Sequence, residues 1–170
     1  MDHLKKICVL ASLVALCLFA VSCKKAEERA VGESGKAPEF TFTSLQGSAM
    51  RLSELRGKVV IVEFWATWCP PCREAIPELN KVSEKFRDKN VQLLGISVDK
   101  GGDALVSVSA FVKEHAVVYP VMVDNVNVAY GVSGIPALFI IDKEGKVVKR
   151  HMGFFPGLAE TLSKEVEELL

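Results

Sequence analysis

The sequence predicts an α/β domain: a mixed β-sheet flanked by helices. Three observations carry that reading. Val59 to Trp65 is apolar apart from Glu63, the pattern of a strand buried on both faces. Ile76, Leu79, Val82 and Phe86 then recur at helical spacing. A second apolar run, Val91 to Val98, returns the chain to the sheet, and a hairpin and a last helix follow.

Taken in order, Phe40-Thr41-Phe42 alternates as a short strand, and Ser53-Glu54-Leu55 leads into a Gly57-Lys58 turn before the buried strand. The helix after it reaches about Arg87, and Pro77 within it should bend it by deleting one backbone bond. The strand Val91–Val98 ends at Asp99, Gly101-Gly102 opens the next segment, and Ala104 to His115 reads as helical. Tyr119 to Asp124 is a short strand. Ala137 to Ile141 is wholly apolar, turns at Asp142-Lys143-Glu144-Gly145, and pairs with Lys146 to Met152. Leu158, Leu162, Val166 and Leu169 mark the final helix.

A chain of 170 residues suffices for one well-packed domain. Lys and Arg balance Asp and Glu at 21 against 21, which argues against a nucleic acid or other polyanionic partner. The three histidines, His3, His115 and His151, lie far apart, so a histidine-based metal site is not expected and His115 and His151 read as ordinary surface or structural residues. At the N-terminus, Lys5 and Lys6 precede an apolar run from Ile7 to Val21 that is too short to span a bilayer comfortably. It ends Ala20-Val21-Ser22-Cys23, which resembles a bacterial lipoprotein signal with alanine where leucine is commoner. The expected organisation is a signal peptide over 1–22, a disordered tether over 23–37 beginning at a lipidated Cys23, and the folded domain over 38–170. The charged stretch 24–37 would reach about 20 Å as a flexible coil.

Of the five cysteines, Cys8 and Cys17 fall in the removed segment and Cys23 would carry lipid. Cys69 and Cys72 remain, at the point where the buried strand passes into a helix. Helix N-termini stabilise thiolates through free N–H groups and the helix dipole. A lone Cys-x-x-Cys closes too short a loop to staple a fold, so its pairing serves chemistry: a dithiol that closes and reopens. Pro70 and Pro71 between them lack N–H groups, so two backbone donors near the Cys69 sulfur are missing. Cys69 should therefore be only moderately acidified and the couple should lean reducing. Glu63 interrupts the buried strand, and a carboxyl buried there should hold its proton to high pH. Gly134-Ile135-Pro136-Ala137 enters another buried strand, a position where a cis X–Pro bond is found.

The order strand–Trp68-Cys69-x-x-Cys72–helix, followed by Gly131-Val132-Ser133-Gly134-Ile135-Pro136, resembles the thioredoxin superfamily. Ala37-Pro38-Glu39-Phe40, the export signal and the additional segment 100–118 resemble its membrane-tethered TlpA/ResA-like branch. The resemblance implies a thioredoxin-like mixed sheet with an N-terminal strand extension and a central insert. It implies that Cys69 is the exposed attacking thiolate and Cys72 the resolving thiol, with Pro136 a cis proline facing the pair. Glu63 would assist proton transfer at the inner cysteine. Trp68, Pro70, Pro71 and the Ile135 backbone would meet substrate, while Trp65 reads as core. Two departures stand out: Gly95 occupies the place where thioredoxins set a lysine near this acid, and Ala75 the place of a ResA-like glutamate, with Glu74 one position earlier and not counted as catalytic.

The implied activity is thiol–disulfide oxidoreduction, in the direction of reducing disulfides of exported proteins. Apocytochrome c haem-site cysteines are among the substrates the resemblance implies, and a membrane reductant of the thiol–disulfide type is the implied electron source. No cofactor beyond the Cys69–Cys72 disulfide, no metal and a monomer are expected. The domain would lie in the periplasm or on the outer face of the cytoplasmic membrane, held by lipid at Cys23. Zinc is disfavoured because the mature chain offers no second ligand pair, and copper because no histidine or methionine cluster adjoins the cysteines. Two alternatives share the fold. A peroxiredoxin-like thiol peroxidase would need threonine three residues before its cysteine, where Ala66 stands and Thr67 is one residue off. A non-catalytic binding lipoprotein would be expected to lose a cysteine or Pro136.

Overall fold

The computed structural model describes residues 35–170. The signal peptide and Cys23 expected from the sequence lie outside the described residues, as does the tether up to residue 34. Strands β3 (Val59–Trp65), β4 (Val91–Ser97), β5 (Val121–Val123), β6 (Ala137–Ile141) and β7 (Val147–Met152) form a five-stranded sheet in the order β5-β4-β3-β6-β7. β3, β4 and β5 run parallel, and β6 and β7 are antiparallel additions, so the sheet is mixed. Three helices complete the unit: α1 (Pro70–Lys85), α2 (Ala104–Glu114) and α3 (Leu158–Glu167).

All seven residues of β3 are buried, because it is the middle strand with cover on both faces. Strand side chains alternate, so its odd and even positions enter different cores. Val59, Ile61 and Trp65 join Cys72, Ala75, Ile76, Leu79 and Val82 of α1, with Val108 and Phe111 of α2 and Leu158, Leu162 and Val166 of α3. Val60, Val62 and Phe64 join Phe40, Phe42, Leu52, Leu55, Tyr130 and Phe139. The helices thus gather on one face. The N-terminal extension covers the other, with a small hairpin of β1 (Thr41–Thr43) and β2 (Ala49–Arg51) followed by a 3-10 turn at Leu52–Leu55.

Cys72, Ala75, Ile76, Leu79 and Val82 form the buried stripe of α1, at the three- and four-residue spacing of one helix face. Pro70 and Pro71 occupy its first turn, where a missing N–H costs the helix no internal bond. Pro77 lies inside α1, and the helix continues through it to Lys85. The hairpin turn forms where expected: Asp142 Oδ1 accepts the Glu144 and Lys146 N–H groups at 3.1 and 2.8 Å, and Gly145 takes φ 78°. Residues 35–37, which the sequence pattern groups with the tether, pair here with this hairpin. Lys36 bridges Lys146, and the Ala37 N–H donates to the Gly145 carbonyl at 2.9 Å.

Candidate active site

Parallel pairing of β3 with β4 sets Trp65 beside Ser97, so the segments leaving the two strands start side by side. Thr67 and Asp99 meet there. The Thr67 N–H and hydroxyl donate to the Asp99 carboxylate at 2.9 and 2.6 Å, and the Ser97 hydroxyl donates to it at 2.6 Å. From α1, the Arg73 guanidinium donates to the Thr67 carbonyl at 3.2 and 2.7 Å. The loop carrying Trp68 and Cys69 is therefore held by a carboxylate on one side and a guanidinium on the other. Sequence reading ended the strand at Asp99 without a role for it; its position past the end of a parallel strand was the available signal.

Cys69 and Cys72 are joined as a disulfide. Cys72 is wholly buried, and Cys69 keeps only 3% of its surface. The exposed sulfur implied by resemblance is thus nearly covered in this oxidised form, where Cys69 packs in the helix-side core. Cys69 remains the one member of the pair that solvent or substrate reaches at all. Trp68 beside it is 65% exposed, whereas Trp65 is packed on Phe111 with ring centroids 5.2 Å apart. Pro70 stands exposed and Pro71 half-buried. The Cys72 N–H, the first donor after the prolines, already bonds the Cys69 carbonyl at 3.2 Å, and so does the Arg73 N–H at 3.3 Å.

The Ile135–Pro136 peptide is cis. Pro136 directly precedes β6, whose Ala137 pairs with Phe64, which puts it at the end of β3 that delivers the cysteines. Its carbonyl accepts the Gly153 N–H at 2.8 Å. Ile135 is half-buried and packs against the core that contains both cysteines.

Glu63 is completely buried on β3, and its odd position points it to the helix face shared with Cys72. Burial drives its carboxyl up to about 8, against a smaller downward pull from a hydrogen bond donated by Tyr119. That bond, hydroxyl to Oε2, is 2.9 Å long, and Oε1 has no hydrogen-bond partner. Burial and the adjoining carboxyl push the Tyr119 hydroxyl well above its ordinary value, so it stays protonated and donates. Gly95 pairs with Glu63 across β3 and β4, and Tyr119 fills the space its missing side chain leaves. Tyr119 is the neighbour of Glu63 that sequence reading passed over. Glu74 is exposed and takes no part. His115 stacks on Phe111 with ring centroids 3.9 Å apart, and His151 bonds Glu165 at 2.7 Å.

This arrangement can run dithiol–disulfide exchange: one barely accessible sulfur, one buried sulfur, and a protonated acid on the buried side. Comparison with known proteins agrees. The AhpC/TSA family pattern matches residues 34–150. A Bacillus cereus protein named thiol–disulfide oxidoreductase ResA is 32% identical over 165 residues, covering 95% of this chain and 89% of that one. The Bacillus subtilis protein of the same name is 34% identical over 143 residues, covering 81% and 78%. Among solved structures, a thiol:disulfide interchange protein of the thioredoxin family from Chlorobium tepidum superposes with a TM-score of 0.69. It is 30% identical, covering 79% of this chain and 94% of that one.

Proposed function

The chain belongs to the AhpC/TSA family and is a thiol–disulfide oxidoreductase, and from that premise we propose that it works as a reductase of disulfides in exported proteins. The observation that supports this direction is the first turn of α1. Pro70 and Pro71 have no N–H to offer the Cys69 sulfur, and the next donor, on Cys72, is committed to the Cys69 carbonyl. Strong oxidants stabilise their reduced, thiolate form; a thiolate with few donors lacks that stabilisation, which makes this dithiol the better electron donor.

The cycle then follows. The Cys69 thiolate attacks a substrate disulfide, one substrate sulfur leaves with its electron pair, and a mixed disulfide forms at Cys69. Cys72 loses its proton to the Glu63 carboxylate and attacks the Cys69 sulfur; the Cys69–Cys72 bond forms and the second substrate thiolate leaves. The substrate gains two electrons and the protein is left as the disulfide seen here. A dithiol reductant at the membrane reverses this state. As it attacks Cys69, Cys72 departs as a thiolate and takes the proton that Glu63, titrating at about 8, still holds at neutral pH.

Exposed Trp68 and half-buried Ile135 would form the apolar rim on which a substrate segment lies, with Pro70, Pro71 and Pro136 beside it. Cys23 would carry the lipid that holds the domain in the periplasm or on the outer face of the cytoplasmic membrane, and a disulfide between apocytochrome c haem-site cysteines would be one substrate of such a reductase. A peroxidase reading is not favoured: Thr67, the nearest threonine to Cys69, spends its hydroxyl on Asp99 at 2.6 Å. The test is trapping. Cys72→Ser should accumulate a mixed disulfide between Cys69 and a reducible protein, visible by mass and released by dithiothreitol. Absence of the adduct with any disulfide-bearing protein, together with turnover of hydroperoxide by the unmodified chain, would contradict the reading.

A further inference from the structure

Tyr119 reaches Glu63 through a prepared opening. Gly95 lies directly opposite Glu63 in the β3–β4 register. A Cβ there would stand 3.0 Å from Tyr119 Cε2, 3.2 Å from Trp65 Nε1 and 3.2 Å from Val121 Cγ2, so a side chain at Gly95 would displace the phenol. The opening is matched by anchors on the backbone that carries the tyrosine. The Gly95 N–H donates to the Pro120 carbonyl at 2.9 Å. On the other side, the Asn80 amide of α1 donates to the Ala116 carbonyl at 2.9 Å and accepts the Val118 N–H at 3.1 Å. The helix that bears Cys72 thus also fixes the segment that brings Tyr119 in.

The consequence is an asymmetric carboxyl. Oε2 is held at 2.9 Å by the Tyr119 hydroxyl, while Oε1 is buried without a partner. We infer that Tyr119 is the positioning residue of the Glu63 acid: it ties up one carboxyl oxygen and leaves Oε1 as the oxygen that takes the proton from Cys72 and returns it. This rests on the proton-transfer role of Glu63 proposed above and adds the residue that orients it.

No competing charge faces the carboxyl from the elements packed around it. Gly95 on β4 and Leu138 on β6 are its sheet neighbours, and α3 contributes Leu158, Leu162 and Val166 to that core. α1 brings Cys72, which is bonded to Cys69. α2 brings Phe111, and the Arg73 guanidinium and the His115 ring stack on Phe111, one ring removed from Trp65. Among the described residues, Tyr119 is the one titratable group that acts directly on Glu63. A hydrogen bond to the charged carboxylate favours ionisation, so losing it must raise the proton affinity of Glu63.

The experiment uses the full chain in detergent, comparing Tyr119→Phe, Glu63→Gln and the double variant. The Glu63 carboxyl is followed in the oxidised protein by carbon NMR, and the closing of the Cys69–Cys72 disulfide from a glutathione mixed disulfide is timed across pH. In Tyr119→Phe the Glu63 midpoint should move up by about one pH unit. Closing at pH 7, where Glu63 acts as base, should slow roughly three- to tenfold, because the ionised fraction falls while its basicity partly compensates. Opening of the disulfide by dithiothreitol, where Glu63 is already protonated, should change less than about twofold. In the Glu63→Gln background Tyr119→Phe should add nothing. An unmoved midpoint and unslowed closing in Tyr119→Phe, with Glu63→Gln impaired, would overturn the positioning role alone. Equal slowing in the Glu63→Gln background would show that Tyr119 acts through packing and overturn it too. If Glu63→Gln itself closes as fast as the parent at every pH, the proton role of Glu63 fails first.

Discussion

The two faces of β3 come from one run of residues and are equally dry, yet each receives a buried tyrosine put to a different use. On the even face Tyr130 packs among Phe40, Phe64 and Phe139, with ring centroids 5.1 to 6.1 Å away, and its hydroxyl ends on the Pro38 carbonyl at 3.0 Å. That bond fastens the N-terminal extension and joins two groups that do not titrate near neutrality. On the odd face Tyr119 ends on a carboxyl at 2.9 Å, and Glu63 Oε1 and Trp65 Nε1 are left without partners. Unpaired buried polar atoms are costly, and the proton-transfer role proposed for Glu63 would account for their retention beside the disulfide.

The sharpest way to break this contrast is at the sulfurs. Cys69→Ser should abolish disulfide reduction altogether, while Cys72→Ser should retain the first attack and stall as a mixed disulfide, as read in an insulin-reduction assay and by mass. Next comes Glu63→Gln, expected to slow disulfide closing on the order of a hundredfold, the usual scale for a positioned acid or base. The same variant reports on stability with a defined sign. Glu63 holds its proton to about 8 in the fold against 4.5 ordinarily. Between those values the folded state binds more protons than the unfolded one, so its contribution is fully present below 4.5 and is lost by 8. Urea titrations should show parent stability falling relative to Glu63→Gln by up to about 1.4 kcal/mol per pH unit across that window.

Tyr130→Phe is the control from the other face. It should cost roughly 1 kcal/mol in urea unfolding, since the Pro38 carbonyl loses its donor, and leave the pH–rate profile where it was. A moved profile would erase the distinction between the faces. Trp68→Ala should have the smallest effect on the fold, within about 0.5 kcal/mol because the side chain is mostly in solvent, with its loss appearing as a severalfold higher KM for protein substrates.

Much of this could be read before the structure was seen, and the reasons lie in particular residues. β3, α1 and β6 are long, fully apolar or strongly periodic, and their predicted bounds agree to within a residue or two: α1 stops at Lys85 rather than about Arg87, and β4 at Ser97 rather than Val98. The Cys69–Cys72 pairing and the cis bond before Pro136 were legible because both are local to their motifs. β2 was not read, since three residues with none buried, Ala49–Arg51, are too short a run to show a period, and their pairing with β1 depends on the turn between them. Tyr119 was invisible for another reason. It meets Glu63 across 56 positions of chain, and only the β3–β4 register shows that Gly95 opens the way. The sequence shows glycine at the place of a lysine; that Tyr119 fills the space beside Gly95 is visible only in the fold.

The reduction potential of the Cys69–Cys72 couple in the full chain at pH 7 tests the whole account most directly. A donor-poor first turn and a dithiol that gives its electrons away predict a value near or below that of thioredoxin, about −270 mV. A value near −120 mV, that of a strong oxidant, would mean that the protein makes disulfides and that the two prolines do not set its direction.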